Sequence, residues 1–268
     1  MTSTITPAVR RAATWTAAAA LAFSPLALTT TTYAAPAKAD AYTVSAKINK
    51  TVAIGEETIL KVRGRVTPKA AGQKVVLQQR VLPKKTWKAT GTAKIKTDGT
   101  YLLKDDPSTA GKREYRVVKP ASDGLAKGIS KSLAVEVYAW QKLGFRTPGP
   151  VTNLDLTGAT IATEYYTGSL VTRVAGTPSS IEYTLGRKCT QLRSSYALTD
   201  SAASGSTGSI TVSTDGTART AHALAVGTVV EDQVLDIANA FRLRFDLTTS
   251  ATPAAVAAVA SPEVLCTR

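Results

Sequence analysis

The chain has 268 residues, with 6% aromatics, 18 Gly, 12 Pro, two Cys, one His and a formal net charge of +14. So few metal-ligating and proton-shuttling side chains leave a zinc site or a Ser-His triad without its parts. The abundant Thr, Val, Gly and Pro favour β-structure with frequent turns.

Arg10 and Arg11 precede an apolar run, "AATWTAAAALAFSPLAL" at 12–28, and small residues ending at Ala37-Lys38-Ala39. That order predicts a secretory signal peptide over 1–39, with cleavage after Ala39 and with Ala34 or Ala35 as alternatives. Pro25 and the 17-residue length argue against a lasting membrane span, which needs about 20 apolar residues. The mature chain is therefore expected outside the cell, secreted or associated with the cell wall.

Charge divides the chain beyond Ala39. Residues 40–140 hold 20 Lys or Arg against 9 Asp or Glu, a net +11, whereas 141–268 hold 10 of each and balance. Two units with different surfaces are expected: 40–140, a linker over 141–153, and 154–268. Within that linker, "LGFRTPGPVTN" at 143–153 carries two Pro and two Gly, the composition of a stiff connection or an entry loop.

In the first unit the apolar period is two. In "WKATGTAKIKTDGTY", Trp87, Ala89, Gly91, Ala93 and Ile95 face one way and Lys88, Thr90, Thr92, Lys94 and Lys96 the other, ending in an Asp98-Gly99 turn. "LKVRGRV" repeats the pattern from Leu60 to Val66. With further candidates at 42–48, 74–81, 100–104, 113–119 and 131–139, seven short strands predict a β-sandwich. Its outward Lys and Arg rows suit first a solvated face that blocks edge pairing, with an anionic cell-envelope polymer as the alternative; no interleaved aromatics suggest nucleic acid.

The second unit also alternates. Ile181, Tyr183 and Leu185 oppose Glu182 and Thr184; Ile210 and Val212 precede an Asp215-Gly216 turn; "FRLRFDL" sets Phe241, Leu243, Phe245 and Leu247 against Arg242, Arg244 and Asp246. "AAVAAVA" at 254–260 has a short helical period, and the segment 251–260 fits a loop or a helix. A β-sandwich of jelly-roll type is the expectation. Cys189 and Cys266, one even pair in an exported chain, are read as a disulfide stapling the C-terminal strand to the strand after Gly186. No CxxC or neighbouring His supports redox or zinc chemistry.

His222 is expected to be a bystander on a strand, and the acid pairs Asp105-Asp106 and Glu231-Asp232 to be turn or edge residues. No catalytic, metal or cofactor residue is assigned. For a sugar, an aromatic face with nearby polar groups suffices; Tyr165, Tyr166 and Tyr196, with Arg193 and Asp200, are the candidates.

These motifs carry two resemblances. "GRVTPKAAGQKVVLQQR", the tryptophan strand, "TDGTY" and "YRVV" resemble the cysteine-free immunoglobulin-like modules of secreted bacterial proteins, which implies a spacer or adhesion unit. "SSIEYTLGRKCTQLRSSYALTD", "GSITVSTDG" and "VVEDQVLDIANAFRLRFDL", over about 140–268, look like the NPCBM domain, a carbohydrate-binding module with a galactose-binding-like jelly roll. Ser180, Tyr183, Leu185, Gly186, Leu198, Asp200, Asp215 and Gly216 fall on that pattern. The chain departs from it in having no histidine in "LVTRVAGTPSS" and in carrying "TPAAVAAVASPEVLC" where the family has an acidic, aromatic segment. The expectation is an all-β protein of two tandem β-sandwiches, immunoglobulin-like then jelly-roll, that binds carbohydrate or envelope polymer without catalysis; the alternative is a structural or protein-binding surface module.

Overall fold

A computed structural model describes residues 40–268; the expected signal peptide lies outside them. The described residues are all β, with several antiparallel sheets and one turn of 3-10 helix. Among them no helix is long and apolar enough to cross a membrane.

The first half contributes β1 (Thr43–Ile48), β2 (Val52–Ile54), β3 (Leu60–Thr67), β4 (Lys74–Val81), β5 (Lys88–Lys94), β6 (Thr100–Asp105), β7 (Gly111–Lys119), β8 (Gly128–Ile129) and β9 (Leu133–Lys142). The period-2 pattern sets which side each strand buries. In β3, Leu60, Val62 and Val66 are fully buried while Arg63 is exposed. A sheet ordered β1-β3-β6 packs against strands β2, β9, β7, β4 and β5. Val44, Leu60, Val62, Tyr101 and Leu103 from the first meet Val75, Leu77, Tyr115, Val117, Val135 and Val137 from the second. Each large side chain so removed from water contributes about 1.5–3 kcal/mol before entropy is counted.

One close approach in this half requires glycine. Tyr101 Oη donates to the Ser45 carbonyl at 2.5 Å, crossing over Gly64. A Cβ on Gly64 would lie 1.8 Å from that carbonyl oxygen and 2.5 Å from the hydroxyl.

The second half begins with the 3-10 turn Leu143–Phe145, followed by β10 (Val151–Thr152), β11 (Leu154–Ile161), β12 (Glu164–Thr172), β13 (Ser179–Thr184), β14 (Cys189–Leu198), β15 (Thr207–Thr214), β16 (Thr217–Ala225), β17 (Val229–Asp236), β18 (Arg242–Thr249) and β19 (Ala257–Cys266). One sheet runs β10-β13-β18-β15-β16. The other places β19 between β12 and β14, with β11 and β17 outside. Between them lies a core that includes Leu170, Tyr183, Leu192, Tyr196, Ile210, Val212, Leu243, Phe245 and Val264.

The Ala-rich segment is neither loop nor helix beyond its opening turn: Ala257–Ala260 start β19. All four residues are buried: Ala257 and Val259 in the main core, Ala258 and Ala260 in a small cluster on the opposite face of the sheet. Such a strand shows a continuous apolar run instead of alternation.

Cys189 and Cys266 form a disulfide directly across β14 and β19, closing a separation of 77 residues. The Asp215-Gly216 turn joins β15 to β16 with both residues at positive φ, 49° and 81°, which glycine adopts without steric cost.

Residues 141–153, expected as a linker, are built into the sheets. Gln141 and Lys142 complete β9, Leu143 is fully buried in the second core, and Val151–Thr152 pair with β13. Strand β9 serves both halves: Leu133–Val137 pair with β7, and Ala139–Lys142 pair with Cys266–Glu263 of β19. One sheet of eleven strands thus passes through both halves.

Candidate functional site

The sheet containing β19 turns one face to the core and the other outward. On the outward face, Ala159, Ile161, Ala197, Ala258 and Ala260 form a small buried cluster edged by Tyr166, Val171 and Val229. Small side chains keep the floor low, so the residues around them stand up as walls.

The result is a groove of about 350 Å³, lined by Tyr166, Arg193, Ser194, Ser195, Asp232, Val234, Ala260 and Ser261. The β14–β17 register shifts between Ser194 and Tyr196, and Asp232, at φ 45°, donates its N–H to Ser195 Oγ at 3.0 Å. That irregularity opens the strand pair beside the groove. Val234 leaves 63% of its surface exposed there.

Arg193 also lines an adjoining hollow of about 340 Å³ with Trp140, Glu57 and Glu263. Its guanidinium pairs with Glu263, 2.5 Å from Nη2 to Oε2, and stacks 4.1 Å from the Trp140 ring. Trp140 Nε1 in turn donates to Glu57 Oε1 at 3.0 Å. Arg193 thus joins the two depressions, with Tyr166 lining the first and Trp140 the second. Tyr166 Oη donates to Glu164 Oε2 at 3.0 Å, and that bond, followed by burial and the charges of Glu164, Glu231 and Asp232, raises its pKa.

The five residues singled out from sequence separate in the fold. Tyr166 and Arg193 meet in the groove. Tyr165, the next residue along β12 from Tyr166, points to the opposite side, is 68% exposed, and lays its ring over Gly158. Tyr196 is fully buried, accepts a 2.8 Å bond from Ser194 Oγ and stacks with His222 at 5.4 Å between ring centroids. Burial raises its pKa. The Asp200 carboxylate accepts the Ala162 and Thr163 N–H groups at 2.8 and 2.9 Å, fixing the β11–β12 turn.

Asp232 and Val234 in the groove, and Trp140 and Glu263 in the adjoining hollow, are residues that the pattern did not mark. Trp140 and Glu263 come from strands of opposite halves joined by the β9–β19 pairing, a juxtaposition no local pattern encodes. Val234 carried a usable signal, an apolar residue among the polar positions of "VVEDQVLD". Among the described residues no three of His, Cys, Asp and Glu gather at metal-binding distance.

These features define an all-β protein with an aromatic-edged groove on the outer face of a sheet. No protein-family model matches the chain, and no curated protein is significantly similar to it in sequence.

Proposed function

We propose that this is an exported, non-catalytic protein whose second half binds glycan through the Tyr166–Arg193–Trp140 face while its first half acts as a spacer or anchor at the cell envelope. The observation carrying this reading is that groove with its adjoining hollow: the Tyr166 ring suits the C–H face of a sugar, and Arg193, shared with the Trp140 hollow, suits its hydroxyls.

An immunoglobulin-like first half is supported by the β1-β3-β6 sheet facing β9-β7-β4-β5, with the short edge strand β2 parallel to β9. A jelly-roll second half is supported by its two antiparallel five-strand layers.

A structural or protein-binding role is the rival. It draws on the state of Arg193, whose guanidinium is already paired and stacked, so that the groove's strongest donor is partly satisfied.

A glycan panel and purified cell wall, presented to the full chain, separate the two readings. Retention that survives high salt and falls about tenfold in both Tyr166→Ala and Trp140→Ala, a loss of about 1.4 kcal/mol, supports the sugar reading. Retention unchanged in both variants, or no glycan bound at all, leaves the structural role.

A further inference from the structure

Residues 74–97 contain Lys74, Arg80, Lys84, Lys85, Lys88, Lys94 and Lys96, seven cations, and no Asp or Glu. They form the β4–β5 hairpin, paired from Lys74↔Lys94 to Gln79↔Lys88. Next to β4 runs β7, with Arg116 opposite Gln78 and Glu114 opposite Arg80. Period-2 alternation puts Gln78, Arg80, Glu114 and Arg116 on one outward face.

Trp87, from the hairpin loop, joins two of these cations. The Arg116 guanidinium lies 4.2 Å and that of Arg80 lies 4.8 Å from the indole ring. Their partners differ. Arg80 is neutralised by Glu114, with Nη2 to Oε2 at 2.5 Å. Arg116 donates from Nε to the neutral Gln78 Oε1 at 2.9 Å, and among the described residues its guanidinium has no carboxylate partner.

The hydrogen bond and the stacking hold Arg116 in one orientation and leave the charge of its fork without a counter-ion. Burial, and after it the neighbouring charge of Arg80, lower its pKa, so the fold maintains this cation against a cost. A solvated charged face needs neither the indole nor the glutamine. The unpaired fork of Arg116 suits two oxygens of a phosphate, and Arg80 on the same ring adds N–H donors beside it. The surrounding lysines add charge along the hairpin, where neutralising several anions at once gives affinity by counter-ion release.

We infer that Arg116, Arg80 and Trp87, with the lysines of the β4–β5 hairpin, form a binding site for a linear polymer bearing closely spaced phosphate groups. The site lies in the other half of the chain from the sugar groove, and it stands or falls without that reading.

The test is equilibrium binding of inorganic polyphosphate to the full chain, with polyglutamate and neutral dextran as comparators. Polyphosphate should bind more tightly than polyglutamate, change Trp87 fluorescence in a way lost in Trp87→Phe, and leave dextran unbound. Arg116→Gln should weaken binding about tenfold and reduce the salt slope by about 1, with an unchanged melting temperature. Arg116→Lys keeps the charge and loses the planar fork, so it too should weaken binding. Lys104→Gln, on β6 of the opposite sheet, should change little. The inference is overturned if Lys104→Gln weakens binding as much as Arg116→Gln, if Arg116→Lys binds as the unaltered chain does, if polyglutamate binds as tightly as polyphosphate, or if polyphosphate does not bind.

Discussion

The two halves close similar sandwiches by different means. The first, with 20 cations against 9 anions and no cysteine, depends on close packing, typified by Tyr101 reaching over Gly64 to Ser45. The second is charge-balanced and adds the Cys189–Cys266 cross-link to a core with more buried members. Their Asp-Gly turns differ as well. Asp98 accepts from Thr100 N–H and Oγ–H, two residues along. Asp215 accepts from the Phe241 and Arg242 N–H groups at 3.1 and 2.8 Å, tying the β15–β16 turn to the start of β18. The first turn is held by local bonds, and the second links distant segments.

The comparison is tested most severely by removing the cross-link. Replacing both cysteines by alanine should cost about 4 kcal/mol on the loop-entropy model, read as a lower denaturation midpoint. The loss should be greatest in amide-exchange protection of β14 and β19, with β3 and β6 retaining theirs. Equal loss in both halves would mean that the cross-link stabilises the whole sheet. Next in size, Gly64→Ala should destabilise the first half by about 1–3 kcal/mol, since β1 must move to admit a methyl group.

Smaller effects separate two buried tyrosines of the second core. Tyr196→Phe removes the partner of Ser194 Oγ and should cost about 1 kcal/mol. The Tyr183 hydroxyl is buried with no hydrogen-bond partner among the described residues, so Tyr183→Phe should fall within about 0.5 kcal/mol of neutral or stabilise. Paired thermal melts give the difference directly.

The smallest effect concerns pH. The backbone N–H groups of Phe241 and Arg242 hold the Asp215 carboxyl below its ordinary 3.8, and the Thr100 N–H, then its hydroxyl, do the same for Asp98. A depressed folded pKa gives stability that is full above the unfolded value and is lost as pH falls through the folded one. Both contributions should therefore fade in the acid range below about pH 4. Asp215→Asn should remove more of that acid-side slope than Asp98→Asn, because its partners lie on another strand; equal slopes would erase the contrast.

Much of the fold was legible because half-buried strands alternate. The seven strands expected in the first half all form, with edges shifted by a few residues, but a bulge in β5 opposite Leu77/Gln78 turns Ala89 and Trp87 to the outward face instead of the face of Gly91, Ala93 and Ile95. The two additional ones, β2 and β8, have three and two residues, too few for a period to register. The alternation rule failed at Ala257–Ala260, where burial on both faces removes the polar positions that reveal a strand. At 141–153 the Pro and Gly composition marks the loop over 146–150, and Leu143, just ahead of it, packs in the second core. The candidate site was less legible. Sequence gives a tyrosine's chemistry and withholds its facing, so Tyr166 lines the groove while Tyr196 fills the core. Trp140 reaches Arg193 only because two strands far apart in the chain become neighbours.

The unbroken run of β9 through both sandwiches has a geometric consequence. With Ala139–Lys142 hydrogen-bonded to β19 immediately after Leu133–Val137 are bonded to β7, no stretch of free chain is left to average the separation between the outer faces of the two halves. The molecule behaves as a caliper with set jaws. Were both proposed sites to bind, two ligands joined at the matching span would gain from simultaneous capture, and pairs joined at any other span would not.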